Sequence, residues 1–160
     1  MSQTPNIHAD WRQLENDIST WLEGFSSNHI QYRNSHQAII GFPTDGFRSD
    51  GMLTDGNVLI AVEIEAGQTH PDTNVGKYWF LQTRYKRYEK IILLHIYTPH
   101  FNSYGWRKKL AEFYIEEIKK LKLPVEYVQL DYRNSIDYQK TLINVKRIMK
   151  EKIKAHIMCE

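Results

Sequence analysis

Residues 49–65 read Ser49-Asp50-Gly51-Met52-Leu53-Thr54-Asp55-Gly56-Asn57-Val58-Leu59-Ile60-Ala61-Val62-Glu63-Ile64-Glu65, and this stretch decides the fold. Two apolar runs meet at Asp55-Gly56, a dipeptide that accepts the positive φ angles of a tight turn, so the spacing predicts a β-hairpin. With Asp55-Gly56 as a two-residue loop, Thr54 faces Asn57, Met52 faces Leu59 and Asp50 faces Ala61, which sets Glu63 diagonally across from Asp50. Side chains alternate along a strand. Asp50, Glu63 and Glu65 therefore share one face, and Val58, Ile60, Val62 and Ile64 take the other. Like charges on one small surface repel, and a divalent cation with oxygen ligands is the simplest counter-charge. The alternative is a solvated strand face answered by Lys or Arg.

Upstream, Ile7, Trp11, Leu14, Ile18, Trp21, Leu22 and Phe25 recur at three- and four-residue steps and predict an amphipathic helix over 7–25. Glu15 borders its apolar stripe. It is either a fourth acid near the site or a surface glutamate. His36 to Phe42 reads as a strand, followed by the loop Phe42-Pro43-Thr44-Asp45-Gly46, in which Asp45 is a fallback acid.

Downstream, 66–73 reads as a loop, with Asp72 or Thr73 as N-cap of a helix reaching Tyr88 and Lys77 near its start. The unbroken apolar run Ile91 to Tyr97 predicts a strand buried on both faces. A helix over 104–121 is expected to turn Trp106, Leu110, Phe113, Ile118 and Leu121 inward. Val125 to Leu130 alternates as a strand, and a last helix from Ile136 carries Tyr138, Leu142, Val145, Met149 and Ile153 at helical spacing. The order predicts an α/β fold: a three-layer α/β/α core on a mixed sheet.

The chain has 160 residues, enough for a sizeable core without disulfides, and no linker or repeat divides it, so one domain over 1–160 is expected. A formal net charge of +2 creates no overall field that demands a polyanion. The single cysteine, Cys159, excludes an internal disulfide and any cysteine-based zinc site. With no apolar run of about 20 residues and no basic-then-apolar leader, a cytoplasmic protein is expected.

Taken together, the hairpin and the elements around it resemble the PD-(D/E)XK nuclease superfamily, the fold of many restriction endonucleases and junction resolvases. In that family a helix precedes an antiparallel hairpin bearing an Asp on one strand and (D/E)-X-K on the next, then a helix and a strand. Here Asp50, twelve intervening residues and Glu63-Ile64-Glu65 take those places within roughly 8–130. Ser49 replaces the motif proline and Glu65 the motif lysine. The resemblance implies a restriction-endonuclease-like core and Mg²⁺, with Mn²⁺ as substitute, held by Asp50, Glu63 and the Ile64 carbonyl. It implies hydrolysis of DNA phosphodiester bonds and, by family analogy, a homodimer. Lys77, or less readily Gln68, would stand in for the missing lysine; otherwise Glu65 itself would orient the attacking water. Without such compensation the chain would be an inactive DNA-binding or scaffold subunit. A further alternative pairs the acids with Arg48, Lys77 or Arg84 in an ion-pair network.

Basic runs at 84–90, 107–109, 119–122 and 146–154 read as solvated helix faces. The first continues the helix after the acids and interleaves Tyr85 and Tyr88, so Arg84, Lys86 and Arg87 are the expected DNA contacts. The scattered histidines His8, His29, His36, His70, His95, His100 and His156 are expected to be surface or satisfied residues.

Overall fold

The hairpin folds as the middle of a five-stranded mixed sheet in the order β1-β2-β3-β4-β5. The computed structural model describes residues 9–41, 46–103 and 105–158. Helix α1 (Gln13–Glu23) leads into β1 (Gln31–Asn34), β2 (Gly51–Thr54) and β3 (Val58–Glu65), an antiparallel meander. Then α2 (Pro71–Arg84), β4 (Lys90–Tyr97), α3 (Arg107–Lys120), β5 (Val125–Asp131) and α4 (Tyr138–His156) complete two parallel crossovers. One apolar cluster joins α1 and α4 to one face of the sheet; a second joins α2 and α3 to the other. The three-layer α/β architecture expected from the sequence is present. No helix of the described residues is long and apolar enough to cross a membrane.

The hairpin register is two residues off the expected one: Thr54 pairs with Leu59, Met52 with Ala61 and Gly51 with Val62. Side chains cause the shift. Thr54 Oγ1 donates to the Val58 carbonyl at 2.7 Å and accepts from Gly56 N at 3.0 Å, while Asp55 Oδ1 accepts from Asn57 N and Val58 N at 2.9 and 2.8 Å. These bonds close a four-residue loop in place of a two-residue one. A shift of two preserves the faces and brings Glu63 from a diagonal position to directly opposite Asp50. That face is not solvated: Glu63 and Glu65 are 2 % and 0 % exposed, under α2.

Other boundaries moved for local reasons. Asp10 accepts from Arg12 N at 3.1 Å and closes a turn, so α1 begins at Gln13 and Trp11 is buried from that turn. The expected strand over 36–42 is replaced by β1 at Gln31–Asn34, an edge strand too polar to show alternation. A turn in which Asn34 Oδ1 accepts from His36 N at 2.9 Å ends it, and beyond the turn the described residues form the isolated bridge Ala38↔Arg48. His70, with Pro71 just inside, is the N-cap residue of α2, not Asp72 or Thr73, and the helix stops at Arg84. On α3 the inward stripe is Ala111, Ile115 and Ile118, whereas Trp106, Leu110, Phe113 and Leu121 are exposed. Both stripes have helical period, so spacing alone could not choose between them. Ile7, His8, the loop residues 42–45 with Asp45, Tyr104 and Cys159 lie outside the described residues.

Candidate active site

Because β3, β4 and β5 are parallel and β2 runs against them, Asp50, Glu65, Tyr97 and Asp131 come to one end of the sheet. This is the carboxyl end of the parallel strands, where open α/β sheets bind ligands. The 66–70 connection brings the first turns of α2 over the acids.

Lys77 reaches into the site. Its Nζ lies 2.5 Å from Glu63 Oε1, donates to the Arg48 carbonyl at 2.6 Å and to Asn74 Oδ1 at 3.3 Å, and is almost wholly buried. Tyr78 OH donates to the same Glu63 oxygen at 2.6 Å. Burial drives the Glu63 carboxyl upward; the Lys77 charge and the bonds from Lys77 and Tyr78 only partly offset this, and the net direction is up. Tyr78 is held protonated by burial and by the Glu63 charge.

Asp50 sits beside this pair, half-buried, with Oδ2 accepting from Ile64 N at 2.6 Å. Burial first, then the charges of Glu63 and Glu15, push its carboxyl up to about 8, against the Ile64 bond and Lys77, which pull down. Glu15, half-buried on α1, is thus felt at the site from the opposite layer. The Ile64 side chain packs into the α1/α4 core, so the residue meets the site through its backbone.

Glu65 turns away from Glu63 to a different set of partners. Its Oε1 meets His95 Nε2 at 2.6 Å and accepts from Asn74 Nδ2 at 2.7 Å. Burial raises its carboxyl, but His95, Thr69 and Asn74 outweigh burial and hold it below the usual range. His95 Nδ1 meets Tyr127 OH at 2.8 Å, so both ring nitrogens are satisfied. The two glutamates are joined through Asn74, which accepts from Lys77 and donates to Glu65. Among the described residues no three or more His, Cys, Asp or Glu form a preset metal cage.

The remaining expected residues fall elsewhere. Gln68 is exposed on the 66–70 connection, bridged to Asn102, with no bond to the acids. Arg84, Lys86 and Arg87 lie at the opposite end of the sheet, where Arg87 Nη1 donates to the Gly56 carbonyl of the hairpin turn at 2.8 Å. Arg84 lies over the Tyr85 ring and Arg87 over Tyr88. Of the basic residues Arg48, Lys77 and Arg84, Lys77 alone pairs with the acids among the described residues.

Asn74, Tyr78, His95 and Tyr127 were not singled out as site residues from the sequence. His95 carries one available signal: a lone polar residue inside the run Ile91 to Tyr97 must find a buried partner, and in-register parallel pairing sets it beside Glu63. Asn74, Lys77 and Tyr78 lie three and four residues apart, one face of a helix, but only the fold shows which face. Comparison with protein-family models, with curated proteins and with solved structures finds no match to this chain.

Proposed function

We propose that the chain is a metal-dependent DNA endonuclease of the PD-(D/E)XK kind, restriction-enzyme-like or resolvase-like in its reaction. The observation that carries this reading is Lys77: it arrives from α2 at 2.5 Å from Glu63, opposite Asp50, and supplies the ammonium that Glu65 displaces from the motif. The succession of helix, meander, helix and strand supports it.

The donors suit a hard cation. Asp50 and Glu63 carboxylates with the Ile64 carbonyl offer oxygen alone, and the Asp50 carboxyl, raised first by burial and then by the charges of Glu63 and Glu15, would ionise readily only with a cation beside it. Mg²⁺, or Mn²⁺ in its place, would be held by these three residues, and when bound would neutralise phosphate charge and lower the pKa of a coordinated water. The chain's own groups do the rest. Lys77 orients the attacking water or a phosphate oxygen, Asn74 and Arg48 fix the ammonium, and His95 with Tyr127 fixes Glu65. Cutting both strands of a duplex takes two such sites, which a homodimer supplies. Substrate of this kind agrees with a cytoplasmic location.

Plasmid, linear and branched DNA incubated in Mg²⁺ or Mn²⁺ should be cleaved by the wild type and spared by Asp50→Ala and Glu63→Ala. Cleavage that survives both substitutions removes these residues from the reaction. A second reading, an inactive nuclease-fold subunit, is favoured by the protein partners that already engage Glu63 Oε1 and Glu65 Oε1. It requires metal-independent DNA binding with no cleavage of any of the three DNA forms.

A further inference from the structure

Charge on this molecule is unevenly placed. Helix α4 carries five lysines and one arginine against the single acid Glu151, a formal +5; with +2 for the whole chain, the rest carries −3. Its apolar stripe Leu142, Val145, Met149 and Ile153 is buried against the sheet, so the outward side carries the basic residues, with Ile143 as the one large apolar residue exposed among them. At 100° per residue Lys140, Lys146, Arg147, Lys150 and Lys154 fall within about a third of the helix circumference. Arg147 pairs with Glu151. The four lysines have no carboxylate partner among the described residues, whereas on α3 Lys108 pairs with Glu112 and Lys120 with Glu117.

Orientation matters as much as sign. α4 starts after β5, at the sheet end that holds Asp50 and Glu65, and ends where Lys152 and His156 meet Glu126 near the start of β5. The stripe therefore leads away from the acids for about 21 Å, at 1.5 Å per residue. Duplex DNA presents one phosphate per roughly 1.7 Å of axis, so a basic line of this length matches a run of backbone. A membrane surface fits poorly, since an interfacial helix needs a free apolar face and α4 has buried its own.

We infer that the outer face of α4, through Lys140, Lys146, Lys150 and Lys154, is the surface that grips the phosphate backbone of DNA, in place of Arg84, Lys86 and Arg87. The choice of DNA among polyanions rests on the nuclease reading above. Neutralising four phosphates contributes a salt slope of about 3–4 in log affinity against log salt, close to a hundredfold in affinity between 50 and 200 mM.

The test is fluorescence anisotropy of a labelled duplex from 50 to 200 mM NaCl in EDTA, with Mg²⁺-dependent cleavage followed in parallel. Three proteins are compared: the full chain, its Lys140→Ala/Lys146→Ala/Lys150→Ala/Lys154→Ala variant, and a control with Lys108, Lys109, Lys119 and Lys120 of α3 changed to Ala. Circular dichroism melts verify folding, and the single Lys150→Ala and Lys154→Ala variants, expected to lose about one unit of slope each, serve if the fourfold variant melts early. The α4 variant should lose 3–4 units of slope and the α3 control should keep its slope. Equal losses in both, or an unchanged slope in the α4 variant, overturn the inference, as does wild-type binding to phosphatidylserine vesicles but not to DNA. An α4-dependent slope without cleavage keeps this surface and removes the nuclease reading; cleavage with an unchanged slope does the reverse.

Discussion

Lys77 and Glu63 form an almost wholly buried ion pair, and such a pair is worth most through what its loss leaves behind. Removing the ammonium strands a buried carboxylate, which costs about 3–5 kcal/mol. Lys77→Met should lower stability to urea by that amount, and Lys77→Met/Glu63→Gln should recover most of it; no recovery would show that Lys77 acts through packing alone. Asp50 gives a pH signature. Its carboxyl is held near 8 when folded, against 3.8 for the ordinary group, so between those values the folded state binds the extra proton. Stability from this group is therefore greatest at acid pH and falls as pH rises through that window. Asp50→Asn should stabilise the protein at pH 8 in EDTA by on the order of a few kcal/mol and by little at pH 4. A difference that is equal at both pH values would contradict this account of Asp50. At this scale the acids were legible from alternation alone, because a two-residue slip keeps side chains on their faces. Glu65's partner was not, because His95 lies 30 residues away and only strand pairing joins them.

Elements with strong periodic signals formed where the sequence places them, β3, β4, β5 and α4 within a residue or two. β1 was missed because an edge strand of Gln31, Tyr32, Arg33 and Asn34 has little apolar pattern to read. The hairpin turn was found, but its length depended on hydrogen bonds from Thr54 and Asp55 that strand periodicity does not encode. Gly56 holds φ +98° there, and an added Cβ would meet nothing within 4 Å. Gly56→Ala should therefore cost about 1 kcal/mol, wholly conformational, measured by urea unfolding. A neutral change would show that the turn relaxes to another conformation.

At the scale of the molecule, the layer order follows from the succession of strands and helices, and it was legible because parallel crossovers leave few alternatives. What the sequence left open was how α2 meets the hairpin, and that contact decides whether Lys77 serves the acids. The chain brings two acids of adjacent strands, one backbone carbonyl and a lysine from the next helix to the carboxyl end of one sheet. The most direct measurement is the nicking rate of supercoiled plasmid in Mg²⁺ by the wild type, Lys77→Met and Lys77→Arg, each first shown to be folded by circular dichroism at the assay temperature. We expect metal-dependent nicking by the wild type, a loss of 10²–10⁴-fold in Lys77→Met and partial activity in Lys77→Arg. Nicking by folded Lys77→Met at the wild-type rate, or no nicking by the wild type in either Mg²⁺ or Mn²⁺, would contradict the account.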